Sequence, residues 1–409
     1  MTTSHRIRQS AVLAGLLLNT ALCSQALEQR IIGIADVHGD LTDFVALLQQ
    51  TGLINENRQW SGGATVLVQL GDMVDRGPKS RECLDLLMDL ERQAPQQNGK
   101  VIALLGNHEV MTMMGDLRYA SLEDYRGFAT PDSEKVREQA YQEYLRFLAS
   151  QGSHGNNDVA SSGQREKWMA EHPLGFFERR DAFGPQGLYG RWLRQHDAVV
   201  ELADGAFLHG GLSPDLKFRD IQELNQRIRS DIAAFDSLWQ ALSTKKVIWR
   251  YMKIEEAVRE AQSGWAAIQL RGQVEPELKD ELQKFLSFPT WFCNSPDSPI
   301  WYRGLALEPE EKLKPGVDAM LARLKIRYIV AGHTVRPKGV ITERFDSRVF
   351  LIDTGMLKPT YGGTASALEI QDGRFTACYA GERPQVLVAP PVAADSSTSP
   401  SGSLGKPPL

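Results

Sequence analysis

Short apolar runs alternate with polar clusters along much of this chain. The runs are rich in Val, Ile and Leu and occupy residues 30–35, 65–70, 101–105, 199–208, 326–331 and 349–352. Each run leads into a cluster of Gly, Asp, Asn, His or Thr, so we interpret the runs as buried strands. Helical patterns lie between them, for example at 41–50 and 80–92. The alternation predicts an α/β fold whose polar clusters gather at the carboxyl ends of the strands.

Two long stretches depart from this alternation. Residues 111–195 are polar and mostly helical in pattern, most clearly at 133–150, with a segment rich in Gly, Ser and Asn at 151–163. We interpret 111–195 as an insertion over the strand-end loops. It either shapes access to those loops or decorates the fold without an active role. A second helical stretch runs from 218 to about 285.

Both ends of the chain have distinctive compositions. His5, Arg6 and Arg8 precede an apolar run at 11–22, and Ser24 and Ala26 supply small residues for cleavage. This pattern predicts a signal peptide at 1–26, cleaved near Ala26, and a periplasmic or secreted protein without stable membrane insertion. An uncleaved anchor is the alternative. We expect one domain at 27–382, followed by a disordered tail rich in Pro, Ser and Ala at 383–409.

Composition narrows the class of protein further. The chain has 409 residues, of which 42% are hydrophobic and 24% charged, as is typical of globular proteins. Its net charge of −5 disfavours a nucleic-acid partner. Cleavage would remove Cys23 and leave Cys83, Cys293 and Cys378. These three cysteines allow at most one internal disulfide, and the sequence leaves its pairing open.

Histidines concentrate at the predicted strand ends. The chain has 8 histidines, and His38, His108, His209 and His333 all lie in strand-end clusters. The same clusters hold carboxylate and amide side chains, namely Asp36, Asp72, Asp75 and Asn107. Burying such groups without a charge partner is costly, and divalent metals are natural partners. The oxygen and nitrogen donors suit Mn, Fe or Zn, of which we favour Mn, and the lack of paired cysteines argues against structural zinc.

This set of residues suits the hydrolysis of a phosphate ester. Two adjacent metals would offset the negative charge of the phosphate and lower the pKa of a bound water. Asp72, in the middle of the set, is the natural carboxylate to bridge both metals. The planar guanidinium groups of arginines would bind the phosphoryl oxygens, and a histidine that does not bind metal would protonate the leaving group.

Five motifs occur in a specific order: DVHGD, GDMVDRG, GNHE, HGGLSPDL and AGHT. Together they resemble the calcineurin-like metallophosphoesterases, and among them the phosphoprotein phosphatase family. The long gap from Glu109 to His209, the segment at 300–304, the GHT at 332–334 and the residues at 352–356 resemble the bacterial-type Shewanella-like protein phosphatases, some of which prefer phosphotyrosine. The resemblance runs from about Arg30 to Gly381. Five motifs in register are far more specific than any one of them.

The resemblance implies a fold and a dinuclear metal centre. The fold would be a sandwich of two mixed β-sheets flanked by helices, with the site at the strand ends. The first metal would be held by Asp36, His38 and Asp72. The second would be held by Asp72, Asn107, His209 and His333. The implied mechanism is in-line attack by a hydroxide that bridges the two metals.

The resemblance also assigns roles beside the metals. His108 matches the proton donor to the leaving group, Asp75 the carboxylate that orients it, and Arg76 a phosphate-binding arginine. Arg303 lies where the family places a second phosphate-binding arginine; alternatively it packs on Trp301.

Three further residues belong to the same motifs or to a nearby loop. Tyr361 matches a loop that overhangs the site near the phosphate, or else it packs against a glycine turn. Asp40 and Glu109 are expected to orient the ligands rather than bind metal.

The chain departs from the family pattern at two of the motifs. Ala35 stands where the family has glycine, which keeps a small residue there. The histidine of the GHT motif weakens any transfer of eukaryotic regulatory partners, and no regulatory subunit is evident.

The expected substrates are phosphotyrosine, phosphoserine or phosphothreonine in proteins. The alternatives are dinucleoside polyphosphates or small phosphate esters at the same site, or a metal-holding binding protein without catalysis, which the complete set of predicted residues disfavours.

Overall fold

The structure, a computed structural model, describes residues 29–151, 162–271 and 275–389. At its centre two β-sheets face each other. The six strands of the first sheet are β1 (Ile31–Ile34), β2 (Val66–Gln69), β3 (Lys100–Ala103), β9 (Ser366–Gln371), β10 (Arg374–Tyr379) and β11 (Gln385–Val388). The five strands of the second are β4 (Val199–Leu202), β5 (Gly205–Leu208), β6 (Tyr328–Ala331), β7 (Thr342–Arg344) and β8 (Val349–Leu351).

Both sheets are mixed, and each contains three adjacent parallel strands. The first sheet has the order β11-β10-β9-β1-β2-β3, in which β1, β2 and β3 are parallel and β9, β10 and β11 pair antiparallel. The second has the order β4-β5-β6-β8-β7, with β5, β6 and β8 parallel between antiparallel edges. Parallel strands end at a common edge, so the loops after these six strands are brought together.

Alternate strand residues serve two different hydrophobic cores. Val68 and Leu368 of the first sheet pack with Phe207, Val330 and Phe350 of the second, and these side chains fill the space between the sheets. The residues that alternate with them pack outward against the helices. This alternation is what a sheet covered on both faces requires.

Helices cover the outer faces of the sandwich. In chain order they are α1 (Leu41–Gln50), α2 (Ser80–Gln93), α3 (Asn107–Met113), α4 (Leu122–Phe128), α5 (Ser133–Ser150), α6 (Ser162–Glu171), α7 (Phe176–Phe183), α8 (Leu188–Leu193), α9 (Ile221–Thr244), α10 (Ile254–Arg271), α11 (Pro276–Leu286), α12 (Gly304–Leu307), α13 (Glu310–Leu324) and α14 (Lys358–Tyr361). In the stretch interpreted as an insertion, the described residues are indeed mainly helical, from α3 to α8. Within the described residues, no helix combines the length and the apolar character needed to cross a bilayer.

The structure differs from the sequence-based strand assignments in two places. The run at 199–208 is a hairpin rather than one strand, because Ala203 and Asp204 turn the chain with positive φ angles of 45° and 61°. Strands β9, β10 and β11 are additional. Because β11 pairs with β10 at Gln385–Val388, ordered chain extends past residue 382, where we expected the tail to begin.

Some sequence-based expectations concern other parts of the chain. The predicted signal peptide and residues 390–409 lie outside the described residues. Cys83, Cys293 and Cys378 are buried and free, so no disulfide joins the cysteines of the described part.

Candidate active site

Five of the six parallel strands deliver most of the predicted site residues to one edge of the sandwich. Asp36 and His38 follow β1, while Asp72, Asp75 and Arg76 follow β2. The other members lie after β3, β5 and β6, namely Asn107, His108, His209 and His333. All of them except Arg76 are at most 6% exposed, so the structure gathers the set into one buried cluster.

Strained backbone aims several of these side chains. His38, Asp72, Asp75, Arg76 and His333 all have positive φ angles, between 49° and 68°. Residues other than glycine seldom adopt this conformation, which costs about 1–3 kcal/mol each when the surroundings enforce it. Such strain clusters at functional sites. Here it turns side chains from consecutive loop positions toward a common centre.

Asp72 is the centre of the cluster. Its Oδ2 lies 3.2 Å from Nε2 of His209, 3.7 Å from Nε2 of His38 and 3.8 Å from Nε2 of His108. Its Oδ1 accepts a hydrogen bond from the backbone N–H of His108 at 3.0 Å, which fixes the carboxylate orientation. One carboxylate therefore faces three imidazoles that come from three different strand ends.

The tautomers of two histidines follow from their backbone partners. Nδ1 of His38 lies 2.9 Å from the carbonyl oxygen of Val74, and Nδ1 of His209 lies 2.9 Å from that of Leu70. A carbonyl can only accept, so both Nδ1 atoms carry the hydrogen. When these rings are neutral, their Nε2 atoms therefore present lone pairs to the cluster, as is usual for metal-ligating histidines.

Oxygen and nitrogen donor atoms converge at short distances in the cluster. Nε2 of His209 faces Oδ1 of Asn107 and Nδ1 of His333, each at 3.0 Å, besides the carboxylate of Asp72. Nε2 of His333 is buried without a hydrogen-bond partner. Divalent cations fit such converging oxygen and nitrogen donors. Two overlapping groups share Asp72: one with His38 and His108, the other with His209 and His333.

His209 and Asp72 each stabilise the charged form of the other, which shifts both pKa values. Burial alone would lower the pKa of His209, but the charges of Asp72 and Asp36 outweigh it and raise that pKa to about 9. Burial would raise the pKa of Asp72, yet the surrounding histidines hold it well below its usual range. For Asp36, burial dominates and raises the pKa to about 6. The cluster therefore favours added positive charge near Asp72.

Asp36 and Glu109 fix the loops around the cluster. Oδ1 of Asp36 accepts the backbone N–H of His333 at 2.9 Å, while its Oδ2 lies 3.9 Å from Nε2 of His38. Both oxygens of Glu109 accept backbone N–H groups, from Met73 and Asp72 at 2.8 Å and from Gly106 at 2.9 Å. Glu109 thus orients the loops that carry the candidate ligands, as expected. Burial raises its pKa to about 7.

Asp40 does something different from what we expected. Its side chain accepts the backbone N–H of Asp43 at 3.1 Å and caps the N-terminus of α1. Its carboxylate therefore begins the helix after the first motif rather than orienting a ligand.

His108 and Asp75 form a close pair beside Asp72. Nδ1 of His108 lies 2.8 Å from Oδ2 of Asp75, and both residues are almost completely buried. The carboxylate requires a hydrogen on Nδ1 and leaves Nε2 to face the cluster. Burial would lower the pKa of His108, but Asp72 and Asp75 outweigh it and raise that pKa.

Arg76 lies at the mouth of the cluster between two aromatic rings. Its guanidinium carbon is 4.4 Å from the ring centre of Tyr119 and 5.5 Å from that of Tyr361. Its Nη2 lies 3.5 Å from Nε2 of His108. The ring of Tyr361 also stacks over His38 at 5.8 Å, so the structure places Tyr361 beside the cluster.

Arg303 is near the cluster but tied to its own surroundings. Its side chain is exposed, and Nη1 donates to the carbonyl oxygen of His333 at 2.8 Å and to Oγ1 of Thr334 at 3.2 Å. Through Nη1 it therefore braces the loop that carries His333.

Several residues around the cluster were not among those predicted from the sequence. Arg179 of α7 is fully buried and donates to Asp75, and Tyr119 touches Arg76. Asp353, after β8, is buried with Oδ2 unpartnered, and burial raises its pKa well above the usual range. Arg179 and Tyr119 lie in the polar stretch that carries no recognisable motif. Asp353 could have been predicted as a site residue, because it directly follows an apolar run.

Comparison with known proteins agrees with the resemblance inferred from the motifs. A family profile described as Calcineurin-like phosphoesterase matches residues 29–337. The chain is 25% identical to Shewanella-like protein phosphatase 2 of Arabidopsis thaliana over 353 residues, which covers 84% of this chain and 75% of that protein. It is 24% identical to Shewanella-like protein phosphatase 1 of Plasmodium berghei over 354 residues, covering 85% and 73%.

A solved structure shares the fold. The cold-active protein-tyrosine phosphatase of a psychrophilic Shewanella species superposes with a TM-score of 0.55 at 20% sequence identity. The match covers 88% of this chain and 81% of that one. The expected architecture of two mixed sheets flanked by helices is thereby confirmed.

Proposed function

Because this chain belongs to the calcineurin-like phosphoesterase family, we propose that it is a metal-dependent phosphatase of phosphorylated proteins, with phosphotyrosine as its preferred residue. One observation carries the proposal. The buried carboxylate of Asp72 faces the Nε2 atoms of three histidines, and one of these, His108, forms a 2.8 Å hydrogen bond through Nδ1 to Asp75.

The described donors fit two divalent ions. Asp36, His38 and Asp72 would hold one, and Asp72, Asn107, His209 and His333 would hold the other. When bound, such a pair offsets the charge of a phosphate ester and makes hydroxide available near neutral pH. We propose manganese, because the donors are oxygen and imidazole nitrogen without thiolate.

The remaining site residues would act on the substrate directly. Arg76 presents its guanidinium at the mouth, where it can bind phosphoryl oxygens as a fork. His108 would donate a proton from Nε2 to the departing oxygen, while Asp75 holds the opposite side of the ring. We assign Arg303 to binding the substrate phosphate only through its free nitrogens, since Nη1 is engaged with the His333 loop.

Aromatic lining supports the preference for phosphotyrosine. Tyr119 and Tyr361 flank Arg76, and Tyr119 is 38% exposed, so a phenolic ring bound through its phosphate would meet aromatic surfaces. Relatives named as protein phosphatases and a structural neighbour named as a protein-tyrosine phosphatase support the same substrate class. We also propose export after cleavage near Ala26, on the basis of the N-terminal pattern alone.

The test uses the mature chain with its metals quantified. Phosphotyrosyl and phosphoseryl peptides are assayed beside diadenosine tetraphosphate, with and without chelator and added Mn²⁺. We expect chelator-sensitive phosphate release, fastest from the phosphotyrosyl peptide. Cleavage of the dinucleotide alone would instead move the function to nucleotide hydrolysis. Absence of any hydrolysis by the metal-loaded protein would overturn the proposal.

A variant pair tests the role of His108. His108→Gln should lower kcat by about 10²–10⁴-fold, the range of general acid catalysis, while the bound metal remains. His196→Gln is the matched control, because His196 packs against Trp192 away from the cluster. Unchanged kcat in the His108 variant would remove it from the mechanism.

A further inference from the structure

Arg179 binds Asp75 on the side opposite His108. Its Nη2 donates to Oδ1 of Asp75 at 2.8 Å, while Oδ2 of Asp75 accepts from Nδ1 of His108 at 2.8 Å. The two oxygens of one carboxylate are thus divided between an arginine and the candidate acid. Arg179 and Asp75 are both 0% exposed, so water does not compete for these positions.

Arg179 is itself held firmly. Its Nε donates to Oδ2 of Asp124 on α4 at 2.8 Å. Its guanidinium carbon lies 5.1 Å from the ring centre of Phe183 and 5.7 Å from that of Tyr125. A planar fork fixed by a carboxylate and surrounded by rings has one favourable orientation. The atom that reaches Asp75 is therefore placed by two insertion helices, α4 and α7.

Asp75 needs such an anchor. It follows β2 in a loop with a φ of 68°, and its backbone N–H donates to Oγ of Ser80 at 3.1 Å. The backbone is fixed, but the carboxylate could still rotate about its terminal torsion, which is soft. A bond to Oδ1 from Arg179 stops that rotation and keeps Oδ2 on Nδ1 of His108.

We propose that Arg179 is a positioning residue for proton donation by His108, acting through Asp75 from within the insertion. This inference rests on the proposed function of the same site. It gives α7 a part in the chemistry, because Arg179 donates to the same carboxylate of Asp75 that accepts from His108. Without Arg179, Asp75 and the ring of His108 would sample other orientations, and proton transfer to the leaving oxygen would slow.

A purely structural ion pair is the competing explanation. The pair between Arg179 and Asp124 ties α7 to α4, and buried pairs of this kind are weak evidence of a functional role. The two explanations differ in one respect. A structural role predicts equal losses for all substrates, whereas positioning of the acid predicts a loss that depends on the leaving group.

The experiment compares two aryl phosphates that share the phosphoryl group. Phenyl phosphate has a leaving group that needs protonation, while 4-nitrophenyl phosphate has one that leaves well as the anion. The metal-loaded mature protein is compared with Arg179→Met and with Asp124→Asn, which keeps Arg179. Removal of Arg179 alone leaves the buried carboxylates of Asp75 and Asp124 without their partner. The double variant Arg179→Met/Asp124→Leu therefore replaces the ion pair with apolar groups. Metal content and Tm are measured for each.

We expect both variants that lack Arg179 to lose kcat on phenyl phosphate by about 10–100-fold, part of the acid contribution. Their kcat on 4-nitrophenyl phosphate should fall only a few-fold, with KM and metal content unchanged. Asp124→Asn keeps an oxygen that can accept from Nε of Arg179, so it should lower Tm without changing the ratio of the two kcat values. Equal losses on both substrates, or no loss in the double variant, would overturn the proposal. If the unmodified protein hydrolysed neither ester, the proposed function itself would fail.

Discussion

Gly71 and Gly106 meet at the backbone. A β-carbon on Gly71 would overlap the backbone nitrogen of Gly106, and one on Gly106 would overlap Oδ1 of Asp72. Gly71 also has a φ of 90°, which side-chain-bearing residues rarely adopt. The glycines that open the second and third motifs therefore bring two strand ends close enough for Asp72 to receive the backbone N–H of His108.

Gly71→Ala should consequently disrupt the buried cluster around Asp72. We expect loss of bound metal, loss of activity and a large fall in Tm, because the loop after β2 must move away from Gly106. Gly52→Ala is the matched control: Gly52 has a φ of 72° with nothing within 4 Å. That control should cost only the conformational strain, about 1–2 kcal/mol. Similar metal content and stability in both variants would contradict the account.

Arg76→Lys should weaken phosphate binding. An ammonium is a point charge and cannot match two phosphoryl oxygens with a planar fork, and it loses contact with the ring of Tyr119. Losing a charged hydrogen bond of about 1.5–3 kcal/mol corresponds to a rise in KM of about 10–100-fold. Inhibition by inorganic phosphate should weaken in parallel.

Arg81→Lys is the control for this prediction. Arg81 also lies over an aromatic ring, that of Phe128 at 6.0 Å, but it is exposed on α2 and donates to the carbonyl oxygen of Gly127. Its KM should not change. A KM for Arg76→Lys equal to that of the unmodified protein would remove Arg76 from phosphate binding.

Removal of metal should destabilise the protein as well as inactivate it. The buried lone pairs around Asp72 would then face one another without a cation. A ligand that binds only the folded state at 100 times its Kd stabilises that state by about 2.7 kcal/mol. We expect chelator to lower Tm, and added Mn²⁺ to restore it. In Asp72→Asn, which removes the shared charge, Tm should no longer respond to chelator or Mn²⁺; an undiminished response would place the metals elsewhere.

Stability should also depend on His172. This residue is 3% exposed and stacks on Trp168 at 4.2 Å. Burial lowers its pKa from 6.5 to about 4, although its hydrogen bond to the carbonyl oxygen of Trp168 acts the other way. Between these two pH values the unfolded chain binds a proton that the folded chain excludes. The contribution of the neutral His172 to the free energy of unfolding is therefore complete above pH 6.5. It is lost as the pH falls toward 4, by about 3 kcal/mol in total.

The measurement is urea unfolding at several pH values with saturating metal. Other groups titrate in the same range, so the informative quantity is the difference between the unmodified protein and His172→Phe. That difference in unfolding free energy should change as the pH falls from 7.5 to about 4.5, in favour of the variant. Parallel curves would show that His172 does not titrate in the folded protein in the way its burial implies.

Strand positions were the most predictable part of the fold. Apolar runs at 30–35, 65–70 and 326–331 contain β1, β2 and β6, because a strand covered on both faces is apolar at nearly every position. Strands β9 and β10 do not end in a conspicuous polar cluster and were not assigned. Their hairpin turn at Asp372 and Gly373, flanked by alternating residues, was nevertheless a readable signal.

The candidate ligands were also accessible from the sequence. Each motif stands directly after a strand, and parallel strands bring their carboxyl ends to one edge. Asp36, Asp72 and His209 therefore had to meet once their strands were parallel neighbours or lay in facing sheets.

What the sequence by itself determined was the set of residues at the strand ends and the chemistry that they suit. Only the tertiary structure decided which residues support that chemistry from a distance. Arg179 reaches Asp75 across 104 positions of the chain, and Arg303 turns to the loop of His333 across 30. Local periodicity carries no information about such pairs, because they form only when whole helices dock on the sandwich. The physical reason is that burial and hydrogen bonding are properties of the packed molecule, whereas a motif records only neighbours along the chain.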